Sequence, residues 1–277
     1  MIIENKDLSN LFKEQPLLVS NIILTQDKPI YGFYLLIKNI PGVLADITKL
    51  LADANINIVA INFTPTIEHE DVLLFIAADF SKSSEKPEVM VKKFTSLDNI
   101  VSATLVKPRV KGVLVDELHF PIIDTSGRRK IMLSQENLRF FVIGIRELLG
   151  SAGLALLYRE GLVVGERIWK RYSGLGFKSL EEGLERLMIG SLVLGRYRGE
   201  IVKLSTDERR IIIRLYNNWE CEVAKKHNIL GPASYFEKGV LAGLIKGYTG
   251  KDVKIEEVKC IAKGDPYCEF EIQIEQK

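Results

Sequence analysis

Residues 231–270 read GPASYFEKGVLAGLIKGYTGKDVKIEEVKCIAKGDPYCEF, and this stretch decides the fold of the half of the chain that contains it. From Ala233 to Tyr248, Phe236, Val240, Leu241, Leu244 and Ile245 recur three to four residues apart, with Gly239 and Gly243 on an adjoining face. That spacing predicts an amphipathic helix, ended by Gly247 and Gly250. Val253 to Cys260 then alternates as a strand, turns at Lys263-Gly264-Asp265-Pro266 and returns as Cys268 to Ile274. A helix followed by a long hairpin is the expected product.

The chemistry of the hairpin lies in Glu257, Cys260 and Cys268, in the order E-x-x-C-x7-C. Two thiolates and a carboxylate suit zinc. The same two cysteines could instead close a disulfide across the turn, or sit as small buried apolar groups. Spacing alone leaves all three readings open.

The pattern E-x-x-C-x-x-x-G-D-x-x-C-x-F, behind a helix of the form G-x-x-A-G-x-x-x-x-x-x-G, resembles the C-terminal signature of the 4-vinyl reductase domain, a small-molecule-binding module. The domain occurs in phenol- and xylene-responsive transcription activators, in a partner protein of bacteriochlorophyll synthesis and in many archaeal proteins. The resemblance implies structural zinc on the glutamate, the two cysteines and a third cysteine at the start of the preceding helix. Glu257, Cys260 and Cys268 match, but Ser234 occupies the place of the third cysteine. A neutral hydroxyl is a poor zinc ligand, and Cys221, on a helix expected over Asn218 to His227, is the remaining sulfur that can substitute for it.

Toward the N-terminus, YGFYLLIKN from Tyr31, a helix after Pro41, strands INIVAINFTPTI and DVLLFIAADF, a helix EKPEVMVKKFTSLDN and a strand IVSATLVKP give the order βαββαβ. Val43, Ile47, Leu50 and Leu51 provide the apolar face of the first helix, and Val89, Val91, Phe94 and Leu97 that of the second. Two helices on one side of a four-stranded antiparallel sheet are expected, a ferredoxin-like arrangement. Within it, KNIPGVLADITKLLADANINIVAI resembles the ACT domain, a regulatory module for amino acids and other small effectors. Asn39, Pro41, Gly42, Val43, Leu44, Asn55 and Ile56 stand at its signature places. The resemblance implies an effector site on the turn Asn39, Ile40, Pro41, Gly42, Val43 and Leu44, at an interface between two such domains. The turn has the chemistry for it, because Gly42 clears a helix N-terminus whose N–H groups favour a carboxylate; the plainer reading is a turn and a helix cap.

The chain is therefore expected to be α+β: a leader over residues 1–29, an ACT-like domain over 30–107, a linker over 108–127 and a mixed helix/antiparallel-sheet 4-vinyl-reductase-like domain over 128–277. The leader holds a weakly helical piece, Leu8 to Phe12, and an apolar run, Leu17 to Leu24, that reads as an edge strand or an arm. Ser134 is placed as N-cap of a helix Gln135 to Leu149. Helices follow over Ala152 to Tyr172 and Ser179 to Leu194, then strands Glu200 to Leu204 and Arg210 to Tyr216 around a Ser-Thr-Asp turn. Each interior helical glycine costs about 1 kcal/mol relative to alanine, so Gly153, Gly161, Gly165, Gly183, Gly190 and Gly195 imply close backbone approach or openings between helices. In relatives of the 4-vinyl reductase type the ligand lies in an apolar cavity and the domain dimerises. Tyr158, Trp169, Tyr172, Trp219, Tyr235 and Phe236 are the aromatic candidates for lining such a cavity. The phenol sensors hold their ligand with a histidine and a tryptophan, and no histidine lies between Arg128 and Tyr216.

The 277 residues are 47% hydrophobic and 27% charged with a net charge of +2, enough for two cored domains and without an electrostatic case for nucleic acid. Three cysteines and the lack of a signal peptide or an 18-residue apolar run predict a cytoplasmic protein with no membrane span. His69, His119 and His227 form no triad, and neither a G-x-S-x-G elbow nor a P-loop occurs. The expected function is a non-catalytic small-molecule sensor, a homodimer signalling through an unknown protein partner. The alternative is an accessory or carrier subunit in the biosynthesis of a hydrophobic compound.

Overall fold

Alternation along Ile30–Lys38 (β2) carries Phe33, Leu35 and Ile37 to one face of a sheet and Gly32 and Tyr34 to the other. Asn57–Phe63 (β3), Asp71–Asp79 (β4) and Ile100–Val106 (β5) join β2 in the antiparallel order β3-β4-β2-β5. The register places Phe33 opposite Ile76 and Leu35 opposite Leu74. Val43–Asp53 (α1) and Pro87–Thr95 (α2) cover that face, burying Ile47, Leu51, Met90 and Phe94 completely. The computed structural model describes residues 16–17, 19, 22–64, 70–124, 127–205 and 209–276; Leu8 to Phe12, Leu18 and His69 lie outside them. The chain is α+β throughout, and divides into two compact units between Ile131 and Met132.

The inward face of α2 differs from expectation. Pro87 opens the helix at its first turn, and Met90 and Phe94, one helical turn apart, point into the core while Val89 is exposed. Val91 and Leu97 only flank the core.

Residues after Lys107 return to this same unit. Val113–Val115 (β6) pairs antiparallel with Ile22–Leu24 (β1). Leu114 and Ile23 from this ribbon pack with Ile30, Ala60, Phe75 and Ala77 on the sheet face opposite the helices. Both faces of β4 are thereby buried, which explains its nearly unbroken apolar run. The apolar run around Ile22 is therefore neither an edge strand of the main sheet nor a free arm. Asp116 anchors the segment beyond β6: it accepts Tyr34 Oη at 2.9 Å, Asn62 Nδ2 at 2.9 Å and His119 Nδ1 at 2.7 Å. His119 Nε2 lies 3.2 Å from the Leu73 carbonyl. Burial alone would raise the Asp116 carboxyl, but the hydrogen bonds from His119, Asn62 and Tyr34 hold it down at about 2. Asp116 in turn raises His119 above its ordinary value.

In the second unit Ser134 Oγ accepts Asn137 N at 3.1 Å, but 135–138 form turns rather than the expected helix. Gln135 spends its amide on Glu222 and Lys226 instead. A π-helical turn, Phe140–Gly144, leads into Ile145–Leu149 (α3), which Gly150 ends at φ 55°. Ser151–Gly174 (α4) and Leu180–Val193 (α5) follow, α5 opening on a reciprocal cap between Ser179 and Glu182. Arg198–Ser205 (β7), Arg210–Tyr216 (β8), Trp219–Lys226 (α6), Tyr235–Thr249 (α7), Val253–Lys259 (β9) and Cys268–Ile274 (β10) complete the unit. Of the expected turn between β7 and β8, Thr206 and Asp207 lie outside the described residues. The sheet is antiparallel in the order β7-β8-β10-β9. It turns Ile211, Ile213, Leu215, Phe270 and Ile272 inward and carries ion pairs such as Arg214–Glu269, 2.6 Å, on strands β8 and β10.

Helix α7 runs through the centre of this unit, buried from Gly239 to Ile245. Its glycines interlock with those of α4. A methyl at Gly161 or Gly165 would overlap the backbone of α7 at Phe236 or Val240, and one at Gly239 or Gly243 would overlap α4 at Tyr158 or Leu162. The two helices touch backbone to backbone, which decides between close approach and an opening at Gly161 and Gly165.

Candidate functional site

Cys260 and Cys268 leave the ends of β9 and β10, and the turn between them is built by its own residues. Ile261–Lys263 makes one turn of 3-10 helix, and Gly264 ends it at φ 103°. Asp265 reaches back so that Cys260 N donates to its Oδ2 at 2.8 Å. The Gly-Asp pair of the motif thus fixes the loop that presents the first sulfur.

The start of α6 brings the third sulfur. Asn218 caps that helix, and one turn in, Cys221 Sγ lies 3.3 Å from Cys260 Sγ and 3.5 Å from Glu257 Oε1. The ligand atoms of Cys221, Glu257, Cys260 and Cys268 all fall within 4.8 Å of one another. Zinc–sulfur bonds of about 2.3 Å in a tetrahedron place sulfurs about 3.8 Å apart, so a cluster of this size needs only small adjustments to close on one ion. These four side chains can hold a metal. All three cysteines are free and buried.

Ser234 stands at the centre of the cluster as its hydrogen-bond hub. Its Oγ donates to Glu257 Oε1 at 2.9 Å and receives Asn218 Nδ2 at 2.6 Å, and its backbone N–H donates to Glu257 Oε2 at 3.2 Å. The carboxylate is thereby oriented by groups outside the donor set, as metal-ligating carboxylates usually are. Without a cation the cluster tolerates little negative charge. Cys260 is held down by hydrogen bonds from Cys221 and then Cys268. Cys221, which donates to Cys260, is pushed far up, and Glu257 is raised to about 7 by burial and then by the Cys260 charge. A bound cation reverses these costs and favours thiolates.

Beside the cluster lies a buried charged network that the sequence did not single out. Glu237, fully buried on α7, receives Arg196 Nε at 3.0 Å and Trp219 Nε1 at 2.6 Å. Glu220 accepts Phe236 N at 2.9 Å and Glu237 N at 3.0 Å, so a carboxylate caps the first turn of α7. Burial, then the Glu237 charge, raises Glu220 well above the usual carboxylate range.

The six aromatic candidates divide among three places. Trp169 stacks edge-on with Tyr248 at 5.0 Å and packs against Gly183 and Gly247, while Tyr172 is buried beside Phe177. Trp219 lines an open cavity of about 430 Å³ with Leu133, Leu138, Leu194, Arg196 and Glu222, and Phe236 lies against the Arg196 guanidinium. Tyr158 and Tyr235 share a separate groove of about 380 Å³.

In the first unit Gly42 takes φ 98° immediately before α1, a conformation that suits glycine. Asn39, Ile40, Pro41, Gly42 and Leu44 are exposed, Ile40 at 52% and Leu44 at 44%, whereas Val43 is a core residue. Asn39 N donates to Glu70 O at 2.8 Å, which pins the turn to the segment before β4.

Comparison with known proteins bears on both units. The ACT domain model matches residues 34–88 and the 4-vinyl reductase domain model residues 211–274. An uncharacterized protein of Methanocaldococcus jannaschii is 28% identical over 144 residues, 50% of this chain and 75% of the relative. A second from the same organism is 30% identical over 71 residues, 26% of this chain and 38% of the relative. Among solved structures, the phenol-responsive sensory domain of the transcription activator PoxR aligns with a TM-score of 0.49 at 17% identity, over 59% of this chain and 81% of that one. A vinyl-4-reductase family protein of M. jannaschii aligns with a TM-score of 0.37 at 19% identity, over 53% and 85%.

Proposed function

We propose that this chain, which joins an ACT domain to a 4-vinyl reductase domain, is a non-catalytic regulatory protein that binds small molecules and reports their presence to a protein partner. The observation that carries the reading is the presence of both modules in one chain, since each resembles a family that binds effectors. The geometry supports it: the turn before α1 is open and apolar, with a helix N-terminus at its base. The second unit opens two grooves of a size suited to small ligands. The assembly on this reading is a homodimer, with the ACT turn at the contact between copies.

Zinc is the ion we assign to Cys221, Glu257, Cys260 and Cys268. Four protein donors leave no open position, which makes the centre a staple between α6 and the β9–β10 hairpin rather than a catalytic metal. Its contribution when bound is folding free energy.

Thermal denaturation of the full chain against a panel of amino acids and small aromatic compounds tests the reading. A ligand at a hundredfold excess over its Kd adds about 2.7 kcal/mol, enough to raise the unfolding midpoint by about 5 °C or more. A flat response across the panel, from protein shown to be free of retained ligand, would contradict it.

A further inference from the structure

Ser151, Leu154, Ala155 and Tyr158 follow one another on α4 at the three- and four-residue spacing of a single helix face. Tyr235 and Lys238 do the same on α7, and Ile255 of β9 closes the floor. Together they line the groove of about 380 Å³. The glycine contacts between α4 and α7 hold its walls at fixed separation, so the groove is preformed.

Its one charged lining group is Lys238. The ammonium lies 4.9 Å from the centre of the Tyr235 ring and 5.8 Å from that of Tyr158, and among the described ion pairs none uses it. The other lysine of this helix, Lys246, does have carboxylates, Asp252 at 2.6 Å and Glu166 at 3.8 Å. An ammonium held over two aromatic faces in a half-buried site exchanges part of its water for them, and a carboxylate gains more from it than from a fully hydrated lysine. Tyr158, raised by burial, stays a neutral phenol, and Ser151 lies on the same rim. Leu154, Ala155 and Ile255 offer apolar surface but no polar side chain.

We propose that this groove binds a small hydrophobic carboxylic acid, its carboxylate on Lys238 and its apolar body against Leu154, Ala155 and Ile255. The assignment rests on the reading that the second unit binds small molecules, and gives that reading a place and a ligand class. A volume of about 380 Å³ suits an acid built on one ring and excludes a tetrapyrrole or a long-chain lipid lying wholly within it.

Benzoate and its neutral isostere benzamide are the probes, titrated into the full chain by calorimetry and by amide shifts over residues 151–158 and 235–238. Benzoate binds at least about tenfold more tightly than benzamide and shifts those amides. K238Q, a good helix former at that position, lowers benzoate affinity about tenfold while leaving the unfolding midpoint near that of the parent. L154W fills the groove and removes binding of both probes. Equal affinity for the two probes, unchanged benzoate affinity in K238Q, or shifts confined to other residues would overturn the assignment while leaving small-molecule binding intact. If neither probe binds but another compound of the thermal panel does, the assignment alone falls; if nothing in the panel binds, the wider reading falls with it.

Discussion

Ser234 stands where the resemblance to the 4-vinyl reductase domain implies a third cysteine, and Cys221 brings the third sulfur to the cluster instead. Residues 257, 260, 264, 265 and 268 were legible in the sequence because one hairpin holds them at fixed spacing. The approach of Cys221 was not, because it depends on how α6 packs against residues 36 to 47 positions further along. The exchange has a direct test. C221S removes one donor and is expected to weaken zinc binding by more than about a hundredfold and to lower stability by about 3 kcal/mol. Adding S234C to that variant returns a third sulfur at the position the resemblance implies, and zinc stoichiometry by elemental analysis should recover. S234A keeps all four donors but loses the hydroxyl that orients Glu257, so it should cost about 1–2 kcal/mol in the unfolding free energy with zinc retained at one per chain.

At the scale of elements, β10 falls where alternation placed it, Cys268 to Ile274, and Gly239 and Gly243 let α7 meet α4 backbone to backbone. G243A puts a methyl into the carbonyl of Leu162 and should destabilise the second unit by about 3 kcal/mol in denaturant unfolding, whereas an alanine at Gly174, where nothing crowds the added carbon, should be tolerated. The segment after Lys107 was harder to place. Val113 to Val115 reads as an apolar fragment, and only β1, far earlier in the chain, gives it a partner. Its anchor is titratable. His119 is raised above its ordinary 6.5, so its contribution is fully present below 6.5 and disappears as pH rises through the raised value. Asp116 is held at about 2, so its contribution is present above 3.8 and disappears as pH falls toward 2. The pair therefore stabilises most between about pH 4 and 6.5, on the order of 1 kcal/mol after solvent screening. Thermal midpoints measured across pH should show a maximum there that H119Q flattens.

At the scale of the whole molecule, both domains were legible because each carries a compact local motif: Pro-Gly before a helix in one, a cysteine hairpin in the other. The buried network of Glu237, Glu220, Arg196 and Trp219 was not, because its members are distant in sequence and each reads alone as an ordinary surface charge or core aromatic. No described helix is long and apolar enough to cross a membrane. The central claim is that the second unit is a zinc-stapled binding module. Native mass spectrometry of the untagged full chain, purified under reducing conditions and compared with its denatured mass, tests it most directly. The account predicts one zinc per chain, and a further organic mass after equilibration with the panel of amino acids and small aromatic compounds; a native mass per chain equal to the denatured mass, with zinc and the whole panel supplied, would contradict it.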